Sequence, residues 1–185
     1  TIYRLPFIWE EEGLSRYISE KLGLGDPQPN YGQWKELVER LSHAEREVVI
    51  AITGKYTKLK DAYLSISEAM KHSGAHLGCK TVLKWVETTD FEPSSLQNVS
   101  GIIVPGGFGS RGTEGKIAAI KYARENRIPF LGLCFGFQLS VVEYARHVCG
   151  LENANSTEID PETPHPVIDI MPEQKNIENL GATMR

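Results

Sequence analysis

Apolar and polar positions change rhythm near residue 46. Up to Leu24, TIYRLPFIWEEEGLSRYISEKLGL spaces its apolar residues as an amphipathic helix; the breaker-rich GLGDPQPNYG interrupts it, and WKELVERLSH resumes a helical pattern. Residues 1–45 are expected to form a helical appendage and interdomain linker. From Arg46 short apolar runs alternate with helical stretches, as in βα units around a parallel sheet. VVIAITGKY predicts a first buried strand, and AYLSISEAMKHSG a helix carrying Tyr63, Ile66, Ala69 and Met70. KTVLKWVET predicts the second strand, SGIIVPGG the third, EGKIAAIKYARENR a helix, RIPFLGLC the fourth strand and FGFQLSVVEYARHVCG the helix after it. Beyond Glu152 the chain turns polar, and PVIDIM predicts the beginning of another strand. The fold class is α/β, a doubly wound, mostly parallel sheet flanked by helices over residues 46–185.

Composition narrows the function classes. The 185 residues are 41% hydrophobic and 24% charged, the balance of an ordinary globular protein long enough for one core. Net charge is -4 with lysine and arginine scattered, which removes the electrostatic footprint of a nucleic-acid surface. No apolar run approaches the roughly 20 residues of a membrane helix and no signal-peptide pattern opens the chain, so a cytoplasmic protein is expected. Three cysteines without a CxxC pair fit neither a disulfide framework nor a zinc site, and the histidines show no metal spacing; no metal is expected.

In such sheets ligands gather outside the carboxyl ends of the strands. Two segments fall there: PGGFGSRG after the third strand and GLCFGFQ after the fourth. Gly132-Leu133-Cys134-Phe135-Gly136 has the form of a nucleophile elbow with a thiol in place of the hydroxyl. Its glycines suit a turn in which neighbouring backbone comes too close for side chains. Cys134 would stand at a helix N-terminus, where unpaired N–H groups and the helix dipole stabilise an anion. A lone cysteine is more often a small packing residue; two flanking glycines at a strand-to-helix junction point instead to a nucleophile. Attack on an amide creates an oxyanion, for which the Phe135 amide is one natural donor and Gly106 or Gly107 another. Gly107 to Gly112 also spells G-x-G-x-x-G, but a dinucleotide fingerprint opens the first βα unit and is followed by an acidic residue ending the next strand. Here it follows the third strand, and the fourth ends in Cys134. Cys79 and Cys149 are expected to be packing residues.

Together VPGGFGSRG, LGLCFGFQ and EYARHVCGLENANSTE resemble the glutaminase domain of the class I glutamine amidotransferase family, with its flavodoxin-like sheet. Within that family the GFGSRG loop and ENANSTE resemble the branch in which glutaminase ammonia feeds an amidoligase converting UTP to CTP. The opening TIYRLPFIWEEEGL resembles the end of that branch's synthetase domain. The resemblance implies that Cys134 attacks the side-chain amide of L-glutamine, forms a glutamyl thioester and releases ammonia. It assigns oxyanion amides to Gly106 and Phe135, and the glutamine site to Gly107, Phe135, Gly136, Phe137, Gln138 and Glu158. A carboxylate at Glu158 suits the substrate's α-ammonium. The resemblance further implies ATP and Mg2+ in an amidoligase domain absent from this chain, GTP as activator with Arg111 a candidate to assist it, and a homo-oligomer, a tetramer. No cofactor is expected in the chain itself.

A cysteine nucleophile also needs a base, drawn in this family from a downstream His-Pro-Glu segment. No such segment occurs here: His165-Pro166 is followed by Val167. The chain is therefore expected to be a piece of a longer protein, lacking the triad His and Glu and hydrolysing glutamine slowly or not at all as it stands. Other cysteine-elbow hydrolases, such as γ-glutamyl hydrolases or PfpI-like proteins, and a non-catalytic regulatory domain are the alternatives. Phe135 rather than a histidine after the nucleophile weighs against the former.

Overall fold

The computed structural model describes residues 1–171 apart from Tyr56 and Lys58. In chain order its elements are α1 (Leu5–Glu11), α2 (Leu14–Leu22), α3 (Gly32–His43), β1 (Arg46–Gly54), α4 (Leu64–His76), β2 (Cys79–Glu87), β3 (Gly101–Val104), α5 (Thr113–Glu125), β4 (Phe130–Gly132), α6 (Phe135–His147), β5 (Asn155–Ser156) and β6 (Pro166–Ile168). They divide into two compact units, residues 1–47 with 65–81, and residues 48–64 with 82 onward. Among the described residues no helix is long and apolar enough to cross a membrane.

The main sheet has the order β2-β1-β3-β4, with β1 parallel to β3 and β3 parallel to β4. The chain reverses its direction of travel across the sheet between β1 and β3, the switch point at which open α/β sheets leave a crevice beyond their strand ends. β3 is buried at all four positions, Gly101 to Val104, as a central parallel strand covered on both faces must be. β4 is an edge among the described strands and exposes half of Leu131. The core of this unit joins Ile102 and Val104 of β3 to Ile117, Ile120 and Ala123 of α5 and to Phe135, Leu139 and Val142 of α6. Those helical residues recur every three or four positions, the spacing of one buried stripe.

The polar tail after α6 is expected from its sequence to run as loops into one further strand. PVI does form β6, but it pairs parallel with the two-residue β5 rather than joining the main sheet. Arg146 fixes this region, donating from Nε to the Ala154 carbonyl at 2.5 Å and from Nη1 to both Glu114 carboxylate oxygens at 3.0 Å. Deeper in the same helix the 1% exposed Glu143 accepts three hydrogen bonds from Arg124, at 2.8 to 3.2 Å. This bidentate pairing supplies the partner a buried carboxylate requires.

The first unit is tied together by Tyr3. Its ring lies 5.7 Å from Trp34 and 5.5 Å from His72, its carbonyl accepts the Trp34 indole N–H at 2.8 Å, and its hydroxyl donates to Glu68. Burial, reinforced by the Glu68 carboxylate, pushes the Tyr3 hydroxyl up to about 12. Residues 1–47 thus share a unit with most of α4.

α5 approaches the end of β2 very closely: a methyl group on Gly115 would stand 2.0 Å from the Thr88 carbonyl oxygen. In an open helix Gly→Ala stabilises by about 1 kcal/mol. Here overpacking reverses the sign, and Gly115→Ala is expected to lower stability by about 2–3 kcal/mol in urea unfolding. A stabilised variant would show that the approach is looser.

Candidate functional site

The turn between β4 and α6 is an elbow whose shape follows from its two glycines. A methyl on Gly132 would lie 2.7 Å from both the carbonyl carbon of Gly136 and the nitrogen of Phe137; one on Gly136 would lie 2.0 Å from the Val104 carbonyl oxygen. Only hydrogen fits at either place. Between them Cys134 takes φ 51° and ψ −110° as the N-cap of α6. That conformation is strained for any residue with a Cβ and costs of order 1–3 kcal/mol. It leaves the Cys134 side chain exposed at the helix N-terminus.

The loop after β3 comes alongside. A methyl built on Gly106 would sit 3.5 Å from the Cys134 Cβ, so β3 and β4, paired through Val104 and Gly132, deliver loop and thiol to one place. The amide inventory around the thiol separates two groups. Gly136 N–H donates to Leu133 O at 2.9 Å, and Phe137 and Gln138 N–H both donate to Cys134 O, at 3.0 and 3.1 Å. These three amides are committed to the turn. The N–H groups of Phe135, Gly106 and Gly107 have no hydrogen-bond partner among the described residues. Free amides flanking an exposed thiol are the donor set an oxyanion requires.

The remaining residues singled out in the sequence fall as follows. Phe135 buries its ring in the core at 3% exposure, so only its backbone faces the turn, whereas Phe137 is 61% exposed and Gln138 half-buried. Glu158 accepts the Gly109 N–H at 3.3 Å, which brings ENANSTE onto the GFGSRG loop although 49 positions separate them. Arg111 donates to the Lys55 carbonyl at 3.4 Å, beside Lys55 Nζ, which donates to Phe108 O at 2.5 Å. Cys79 is buried as expected. Cys149 is not; it is exposed where the chain leaves α6, at the edge of an apolar cavity of about 600 Å³ that also touches Phe130 and Tyr144 and does not include Cys134. No group of three or more His, Cys, Asp or Glu side chains that could hold a metal ion occurs among the described residues.

One residue at the site escapes the sequence pattern. Lys116, on α5, is only 3% exposed. Its amine lies 3.5 Å from Pro105 O and 5.3 Å from the centre of the Phe135 ring. A lysine within EGKIAAIKYARENR reads as one more solvated helix position. The signal available was its spacing, one residue before the buried Ile117 and four before Ile120.

Two outcomes test this geometry. Cys134→Gly is expected to raise stability by about 1 kcal/mol in urea unfolding, strain relief exceeding the added chain entropy, while Cys134→Ala leaves stability nearly unchanged. Equal effects would mean the turn is unstrained. The second concerns Lys116, whose amine is lowered from 10.5 to about 8 by burial first and by the like charge of Lys55 second. The unfolded chain holds this proton more tightly, so the destabilisation is full below pH 8 and is relieved as pH rises towards 10.5. Wild type should therefore gain stability relative to Lys116→Met between pH 7 and about pH 10 in paired urea titrations; a constant gap would contradict the lowered affinity.

Residues 58–185 match the family described as Glutamine amidotransferase class-I. The CTP synthase of Thermococcus gammatolerans is 56% identical over 186 residues, which cover 99% of this chain and 35% of that protein. A CTP synthase of Thermus thermophilus is 53% identical over 188 residues, covering 100% and 34%. The chain thus spans about a third of the length of these relatives. A solved structure of the Trypanosoma brucei CTPS glutaminase domain with bound acivicin aligns with a TM-score of 0.66 at 37% identity, over 70% of this chain and 52% of that one. With the parallel sheet, the glycine-bounded elbow and these likenesses in agreement, the chain belongs to the class I glutamine amidotransferase family.

Proposed function

We propose that this chain is the glutamine-hydrolysing part of a CTP synthase, with Cys134 as its nucleophile. The observation that carries the reading is the exposed Cys134 beside the unpartnered amides of Phe135 and Gly106. Cys134 Sγ attacks the side-chain carbonyl carbon of L-glutamine, and the negative charge developing on its oxygen is taken up by the Phe135 and Gly106 N–H groups. Collapse breaks the C–N bond, the nitrogen leaves as ammonia on taking a proton, and the glutamyl thioester is then hydrolysed by water to glutamate. Gly107, Gly136, Phe137 and Gln138 border the substrate, and Glu158, free on one carboxylate oxygen of the Gly109 contact, receives the α-ammonium.

The proton carrier is assigned outside the described residues. Among those residues no histidine bonds to Cys134: His147 is held by the Glu143 carbonyl at 3.1 Å and carboxylate at 3.3 Å, and His72 by Tyr3 at 2.8 Å. In the longer protein the ammonia would pass to an ATP- and Mg2+-dependent amidoligase acting on UTP, with GTP as activator near Arg111 and a homotetrameric assembly.

The test is covalent. With 6-diazo-5-oxo-norleucine, mass spectrometry of the full-length protein should find the adduct on Cys134, and Cys134→Ala should abolish both the adduct and glutamine-dependent ammonia release. Ammonia release by Cys134→Ala at the wild-type rate would overturn the reading.

A further inference from the structure

Gly106 borders Cys134, and the loop to which it belongs, Pro105 to Gly107, lies against the buried amine of Lys116. The Lys116 amine reaches Pro105 O at 3.5 Å and lies 5.3 Å from the centre of the Phe135 ring. A methyl on Gly107 would come within 3.5 Å of the same nitrogen. The lysine therefore touches both segments that carry the unpartnered amides.

Its contact with Pro105 has a geometric consequence. Pro105 C=O and Gly106 N–H belong to one planar trans peptide, in which carbonyl and amide point in opposite directions. A donor on the oxygen side leaves the Gly106 N–H pointing away from Lys116, and Gly106 itself borders Cys134, a methyl built on it standing 3.5 Å from the Cys134 Cβ. The second contact acts on the other donor. Phe135 is the first residue of α6, and a cation against its ring holds in place the residue whose N–H opens the helix.

A buried cation is costly unless compensated. Among the described residues no carboxylate forms an ion pair with Lys116, and a carbonyl and a ring are its polar contacts. A methionine or leucine would satisfy the packing alone at this depth. The retained charge is accounted for by a task at the loop.

We propose that Lys116 is a positioning residue for the oxyanion site, holding the Pro105–Gly106 peptide and the Phe135 ring so that both free amides face the thiol. This rests on the glutaminase reading above. Acting through a donor rather than as one, it should contribute less than the roughly 10²–10³ of a direct oxyanion contact.

The experiment compares wild type with Lys116→Met in the full-length protein, and with Lys116→Gln should the methionine variant not fold. Competent sites are counted by 6-diazo-5-oxo-norleucine adducts on Cys134, and glutamine hydrolysis is expressed per counted site, so misfolded molecules drop out. Expected is a kcat per site about 10- to 100-fold below wild type with KM within about threefold, since the oxyanion develops only on thiol attack and is absent from bound glutamine. Any fall in kcat per site of about threefold or more at near-constant KM supports the assignment. A smaller fall, or a loss carried by KM, overturns it and leaves Lys116 a packing residue. Failure of the glutaminase reading looks different: wild type itself would then neither label at Cys134 nor release ammonia.

Discussion

The site depends on how closely the start of α6 lies against the end of β3. Gly136 sits so near the Val104 carbonyl that no side chain fits, and Gly132 is pressed against the same turn from the strand side. Because neither neighbour can yield, Cys134 absorbs the change of direction and takes a positive φ. Strain, exposure and the open amide of Phe135 are one event: a helix forced to start abruptly leaves its first N–H without a carbonyl to meet. The parallel pairing of β4 with β3 then sets the Gly106 loop beside the thiol, because adjacent parallel strands end on the same edge.

Charge is distributed around that turn by rules different from those in the core. Glu143 inside α6 is fully paired by Arg124, the ordinary solution for a buried carboxylate. Lys116 instead meets a carbonyl and an aromatic face, and its proton affinity falls as a result of burial. Glu158 closes the opposite side by accepting the Gly109 amide, which holds two loops at one rim. Polar groups with weak or single partners therefore gather at this edge.

The sequence by itself determined the alternation of strands and helices from Arg46, the elbow about Cys134, and the glycine loop as its companion, since each rests on local spacing. Period and turn chemistry act over a few residues, and both appear in the order of the letters. Tertiary structure alone decided the rest. Glu158 meets Gly109 across 49 positions, β6 pairs with β5 instead of the main sheet, and Cys149 faces solvent where packing was expected. The amine of Lys116 lies 3.5 Å from the Pro105 carbonyl in the interior, although lysine as a residue type ordinarily stays in solvent. Such contacts are fixed by which strands become neighbours and by how far backbones can approach. Those distances are properties of the folded chain, to which local periodicity carries no reference.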